Sequence, residues 1–201
     1  MSAVVKKYVI ATVSTLFLVL TLLQVVSVKG HSAETVMTSF GDGKTNVRLY
    51  TDYFCPPCRQ MEPDIEPLLT ELVRDKIITL TFVDTPFYRY SSLYVRYFLY
   101  AINEKKDLEH ALYVRRSLIE AAKKGLDSAQ KLEAFLKEKK IALKPFDPKP
   151  VFDSLSRHLK EDGIDATPSC VIESKGKTSK YGGAGNITDA LTALRPKPSI
   201  K

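Results

Sequence analysis

Thr51-Asp52-Tyr53-Phe54-Cys55-Pro56-Pro57-Cys58 is the stretch on which the reading of this chain turns. Before it, Thr45 to Tyr50 alternates Val47 and Leu49 with polar neighbours, the period of a strand. After it, Met61, Ile65, Leu68, Leu69 and Leu72 recur at helical spacing, so the two cysteines stand where a strand gives way to a helix. Free backbone N–H groups and the positive end of the helix dipole favour an anion at that place, which makes Cys55 the candidate nucleophile. Cys58, one turn in, is shielded from large partners yet within reach of the Cys55 sulfur, as a resolving thiol must be. Pro56 suits the first helical position because its φ is already set. Pro56 and Pro57 also delete two N–H donors near Cys55, and the Arg59 charge compensates in part. These three residues are therefore expected to modulate the pair.

A C-x-x-C also fits a metal clip or a static disulfide. The chain has three cysteines and no second C-x-x-C, and His31, His110 and His158 have no ligand spacing to the pair, so no bound metal is expected. A four-residue loop is in addition a poor staple, because loop-closure entropy rises with loop length. Cys170 stands alone and is expected to be a small buried hydrophobe.

Composition narrows the class. With 201 residues and 44% hydrophobic content, the chain is neither disordered nor collagen-like, and one ordinary domain fits. The net charge of +7 is partly an N-terminal feature, since Lys6, Lys7 and Lys29 precede or border the first acid, Glu34. Elsewhere Lys and Glu interleave, as at Glu133, Lys137, Glu138, Lys139 and Lys140, which is a solvated helix face. No basic stripe with stacking aromatics is visible, and no nucleic-acid partner is expected.

Residues 8–28 (YVIATVSTLFLVLTLLQVVSV) carry no charge and follow Lys6-Lys7. About 20 such residues can cross a bilayer core as a helix. Residues 1–30 are thus a signal anchor or, if cleaved near Val28-Lys29-Gly30, a signal peptide. The flanking lysines predict a cytoplasmic N-terminus, with the following part on the extracytoplasmic side of an inner or plasma membrane, where disulfides persist.

Residues 31–44 are small and polar and read as a tether. Pro63 and Pro67 fall inside the helix after Cys58, predicting a kink or a late regular start. Ile77 to Val83 is β-branched and apolar, a buried strand. From about residue 88 to 163 the chain is helical: one face carries Tyr90, Tyr94 and Tyr97, a second segment spans Leu108 to Ala122, and Asp127-Ser128-Ala129-Gln130 reads as a capping box. The tyrosine face is expected to pack the helices with wet phenol tips, and His158 to lie at the surface. Pro145, Pro148 and Pro150 interrupt the pattern before Val151 to Lys160 resumes it. Ser169 to Glu173 and Thr178 to Tyr181 form a hairpin around Ser174-Lys175-Gly176-Lys177. Asn186 then caps a last helix, and residues 196–201 are a tail.

Cys55-Pro56-Pro57-Cys58 together with Thr167-Pro168 ahead of the strand from Ser169, Phe54 before the first cysteine and Gly182-Gly183 after the hairpin resembles the thioredoxin superfamily. The helical block between them is similar to the DsbA-like branch. This resemblance implies an α/β thioredoxin-like fold over residues 45–195 with a helical insertion at about 88–163. It implies thiol:disulfide exchange with protein thiol clients through a redox-active Cys55–Cys58 disulfide, with no further cofactor. Thr167 and Pro168 would line the groove that takes the client backbone, and a membrane or soluble redox partner would reset the pair. The helical insertion favours an oxidase; a reductase of a maturation pathway and a copper-binding thioredoxin-like chaperone are the alternatives. One departure stands out: the family often keeps a buried acid six positions before the first cysteine, and here that position is Leu49.

Overall fold

The structure, a computed structural model, describes residues 37–196. Eleven elements follow one another within them: β1 (Ser39–Phe40), β2 (Thr45–Thr51), α1 (Pro56–Arg74), β3 (Ile78–Asp84), α2 (Ser91–Glu104), α3 (Leu108–Lys123), α4 (Ala129–Glu138), α5 (Lys149–Glu161), β4 (Ser169–Ser174), β5 (Lys177–Gly182) and α6 (Ala184–Thr192). No helix among the described residues is long and apolar enough to cross a membrane, and residues 8–28 lie outside them.

The strands form one mixed sheet in the order β1-β3-β2-β4-β5. β2 and β3 are parallel and joined through α1, as a parallel pair requires a crossover. Both are mostly buried, and Ile78, Leu80, Phe82 and Val83 of β3 lie in the core. β4 runs antiparallel to β2 with Tyr50 opposite Ser169 and Leu49 opposite Cys170. That register carries the Thr167–Pro168 bond alongside the end of β2, where the chain turns towards Cys55. The β4–β5 hairpin closes over Lys175 (φ 51) and Gly176 (φ 75), two consecutive left-handed residues that match the right-handed twist of the strands.

Several local expectations change. Ser39–Phe40, within the stretch read as a tether, pairs antiparallel with β3 and caps the sheet edge. α1 is continuous from Pro56 despite Pro63 and Pro67, because both prolines are on its exposed face. Each proline leaves the carbonyl four residues before it without an intrahelical donor. α4 is capped by Ser128, whose hydroxyl accepts from the Lys131 N–H, while Asp127 pairs with the Lys131 ammonium at 2.8 Å instead of opening a capping box. The last helix begins at Ala184, two residues before Asn186, after Gly183 takes φ 83; Asn186 donates its side-chain N–H to the Gly182 carbonyl.

The inserted helices α2 to α5 pack by the tyrosine face, and the phenol tips of Tyr94 and Tyr97 are hydrogen-bonded. Tyr94 donates to the Leu126 carbonyl at 2.7 Å and Tyr97 to the Glu133 carboxylate, satisfying both hydroxyls inside the helical block. His158 is half-buried rather than at the surface, and burial lowers its pKa. Arg48 of β2 reaches Asp162, just after α5, through two N–H groups at 2.6 and 2.9 Å, and Glu173 at 2.7 Å, fastening the insertion back onto the sheet.

Candidate active site

The site grows from the end of β2. Asp52 is buried, and its carboxylate accepts the Phe54 N–H at 2.8 Å and the Phe87 N–H at 3.0 Å. The first bond makes a tight Asx turn that presents Cys55; the second ties this turn to the loop after β3. The Asp52 carbonyl also takes the Cys55 N–H at 3.1 Å. Cys55 is the N-cap of α1 in an extended conformation (φ −73, ψ 116), with Pro56 and Pro57 at the first helical positions. The first intrahelical bond runs from the Arg59 N–H to the Cys55 carbonyl at 3.1 Å.

Cys55 and Cys58 are both buried, and their sulfurs are 2.7 Å apart with Cys58 donating. Burial pushes the Cys58 thiol well up, and its bond to Cys55 adds to that shift. Cys58 thus keeps its proton in the bond to the Cys55 sulfur. Cys55 Sγ also reaches the Thr167 carbonyl, 3.3 Å away across the gap from β4. Thr167–Pro168 is a cis peptide bond, and Pro168 is buried. Cys55, Cys58, Thr167 and Pro168 are therefore brought together, although more than half the described chain separates them in sequence. Pro56 and Pro57 are exposed beside Cys55, and Arg59 is half-buried.

Cys170 lies two places beyond Pro168, fully buried opposite Leu49, and burial pushes its thiol up to about 12. Leu49, at the position of the family's buried acid, is likewise fully buried. Among the described residues no group of three or more His, Cys, Asp or Glu side chains could hold a metal ion.

Other neighbours of the pair come from elsewhere in the chain. Phe87 and Tyr88 are exposed beside it, and the Tyr88 hydroxyl has a raised pKa, first from desolvation and then from the charges of Cys55 and Asp52. Behind it, Glu62 of α1 and Asp84 at the end of β3 are buried around Arg115 of α3. Only Glu62 carried a signal, by standing one turn after Cys58 on the apolar face.

A family model described as Thioredoxin matches residues 34–181. The chain belongs to the thioredoxin family. Among solved structures, a putative protein-disulfide isomerase from Pseudomonas syringae matches with a TM-score of 0.65 at 16% identity, covering 81% of this chain and 99% of that one. A periplasmic thioredoxin-like protein from Salmonella enterica serovar Typhimurium gives 0.60 at 20% identity, covering 78% and 86%. The catalytic domain of Proteus mirabilis ScsC gives 0.59 at 20% identity, covering 82% and 90%. No protein of curated function matches the chain significantly. At these identities the structural matches speak to the fold.

Proposed function

We propose that this protein is an extracytoplasmic thiol:disulfide oxidoreductase that exchanges disulfides with protein clients, working as an oxidase. The observation that carries the reading is the pair itself: Cys55 at the N-cap of α1, Cys58 one turn inside with its proton held, and the Thr167 carbonyl 3.3 Å from the Cys55 sulfur. In the oxidising direction a client thiolate attacks Cys55 Sγ of the disulfide. The Cys55–Cys58 bond breaks, its electron pair goes to Cys58, and Cys58 takes a proton. A second client thiolate then attacks the client sulfur of the mixed disulfide and releases Cys55 as thiolate. Thr167 and Pro168 flank the client backbone, and Pro56, Pro57 and Arg59 tune the exchange. A membrane or soluble redox partner reoxidises the pair.

The helical insertion supports the oxidase direction, and the periplasmic origin of the Salmonella protein supports the compartment. Residues 8–28 would hold the chain in the inner or plasma membrane with this domain on the periplasmic side, a reading that rests on their hydropathy. The test is trapping. Full-length Cys58→Ala should accumulate mixed disulfides through Cys55 that disappear in Cys55→Ser, and the absence of any trapped client would overturn the reading. A potential near about −120 mV supports the oxidase, whereas one near about −270 mV makes it a reductase.

A further inference from the structure

Arg115 is the bulkiest fully buried side chain among the described residues, and each of its five N–H groups has a partner. Nε and Nη2 donate to the Glu62 carboxylate at 2.7 and 3.1 Å, and Nη1 donates to Asp84 Oδ1 at 2.8 Å and the Tyr53 hydroxyl at 3.1 Å. Nη2 also donates to the Thr51 hydroxyl at 2.8 Å, while the Tyr53 hydroxyl donates to the second Asp84 oxygen at 3.3 Å. The rings of Tyr53, Phe82 and Phe98 surround the guanidinium at 5.0, 4.5 and 5.1 Å. Arg115 belongs to the inserted helices, but its polar partners frame the cysteine pair. Thr51 ends β2, Tyr53 stands two places before Cys55, Asp84 ends β3, and Glu62 follows Cys58 by one turn. Side chains four apart on a helix have Cβ atoms about 5–6 Å from each other, and Cys58 and Glu62 share the buried face of α1.

We propose that Arg115, Glu62 and Asp84 form a positioning cluster through which the inserted helices set the redox equilibrium of the Cys55–Cys58 pair and make it depend on pH. The inference rests on the thiol-exchange reading above. A thiolate in the reduced pair is poorly solvated, so each negative charge held nearby opposes the reduced form and each one removed favours it. The guanidinium offsets one carboxylate, and the cluster is formally −1 with both acids ionised. Asp84 is the member that changes: burial pushes its carboxyl up to about 6 against the pull of Arg115, Glu62 adds to the rise and the Tyr53 hydroxyl opposes it. Above that pH the cluster is anionic, and below it is neutral. Acidification therefore favours the reduced pair beyond the ordinary proton uptake of the thiols.

The experiment equilibrates the full chain with reduced and oxidised glutathione and reads the reduced fraction by alkylation. Two glutathione thiols supply two electrons and become glutathione disulfide, the Cys55–Cys58 bond breaks, and the two released protons go to Cys58 and to Cys55 or solvent. Glu62→Gln keeps the side-chain size and removes one negative charge. It should shift the equilibrium about tenfold towards the reduced form, which is about 30 mV. Asp84→Asn should shift it the same way at pH 8 and lose that shift at pH 5, where the wild-type carboxyl is already protonated. A merely structural role would produce no pH signature. The inference is overturned if Glu62→Gln stays within about twofold of wild type, or if the Asp84→Asn offset is equal at both pH values. Wild type that does not equilibrate with glutathione would overturn the oxidoreductase reading itself, whereas wild type that equilibrates alongside unmoved variants overturns only the cluster.

Discussion

Replacing Asp84 with asparagine should change how stability depends on pH, and the size of the change follows from its surroundings. The carboxyl is buried at the end of β3, where burial raises its pKa from 3.8 to about 6 despite the bonds from Arg115 and Tyr53. The native state then binds this proton more tightly than the unfolded chain does. Between those two pH values the folded form carries more protons, so stability is highest on the acid side and falls as pH rises through the window. About two units at about 1.4 kcal/mol each give a loss of about 3 kcal/mol between pH 4 and pH 7. The substituted amide keeps an oxygen for the Arg115 N–H and cannot ionise, so the variant should escape this loss. Urea unfolding of both full-length proteins, followed by far-ultraviolet circular dichroism across that range, isolates the residue because every other titration is shared. The gap should move in favour of Asp84→Asn as pH rises. A gap that is independent of pH, or one that moves towards wild type, would refute the reasoning.

Three other perturbations test neighbouring parts of the fold. Tyr53→Phe removes the hydroxyl that accepts from Arg115 and donates to Asp84, leaving an N–H unpaired; it should cost about 1–3 kcal/mol in urea unfolding. Asp162→Asn loosens the tie between α5 and Arg48 of β2, which holds the Asp162 carboxyl below its usual range, although burial pulls the other way. Because that folded-state pKa is depressed, the stabilisation is complete above about pH 4 and lost as pH falls further; the two melting temperatures should differ at pH 7 and converge below pH 3. Cys170 should resist iodoacetamide in the native protein and react in urea, since it is fully buried with its thiol pushed up to about 12, and Cys170→Ala should leave client exchange unchanged.

The site's two halves were legible at different depths. The alternation before Thr51 and the helical spacing after Cys58 placed the cysteines at a strand-to-helix junction, because local periodicity directly reflects which face is buried. Asn186 misled because a residue with capping propensity need not be used when Gly183 supplies the turn. Ser39–Phe40 was invisible for a similar reason: two residues cannot show a period, and their strand exists only because the edge of β3 is there to pair with.

By itself, the sequence determined the order of elements from β2 onwards, the strand-to-helix junction at Cys55, the hairpin at Lys175-Gly176 and the long apolar run at residues 8–28. These depend on neighbours along the chain, on side-chain period, proline φ and glycine freedom. Only the tertiary structure decided what surrounds the thiols. The Tyr50–Ser169 register brings Thr167 to the Cys55 sulfur, and the packing of α3 against α1 and the sheet buries Arg115 between Glu62 and Asp84. Charges so far apart in sequence meet through the fold, and their burial, which sets their protonation, has no local signature.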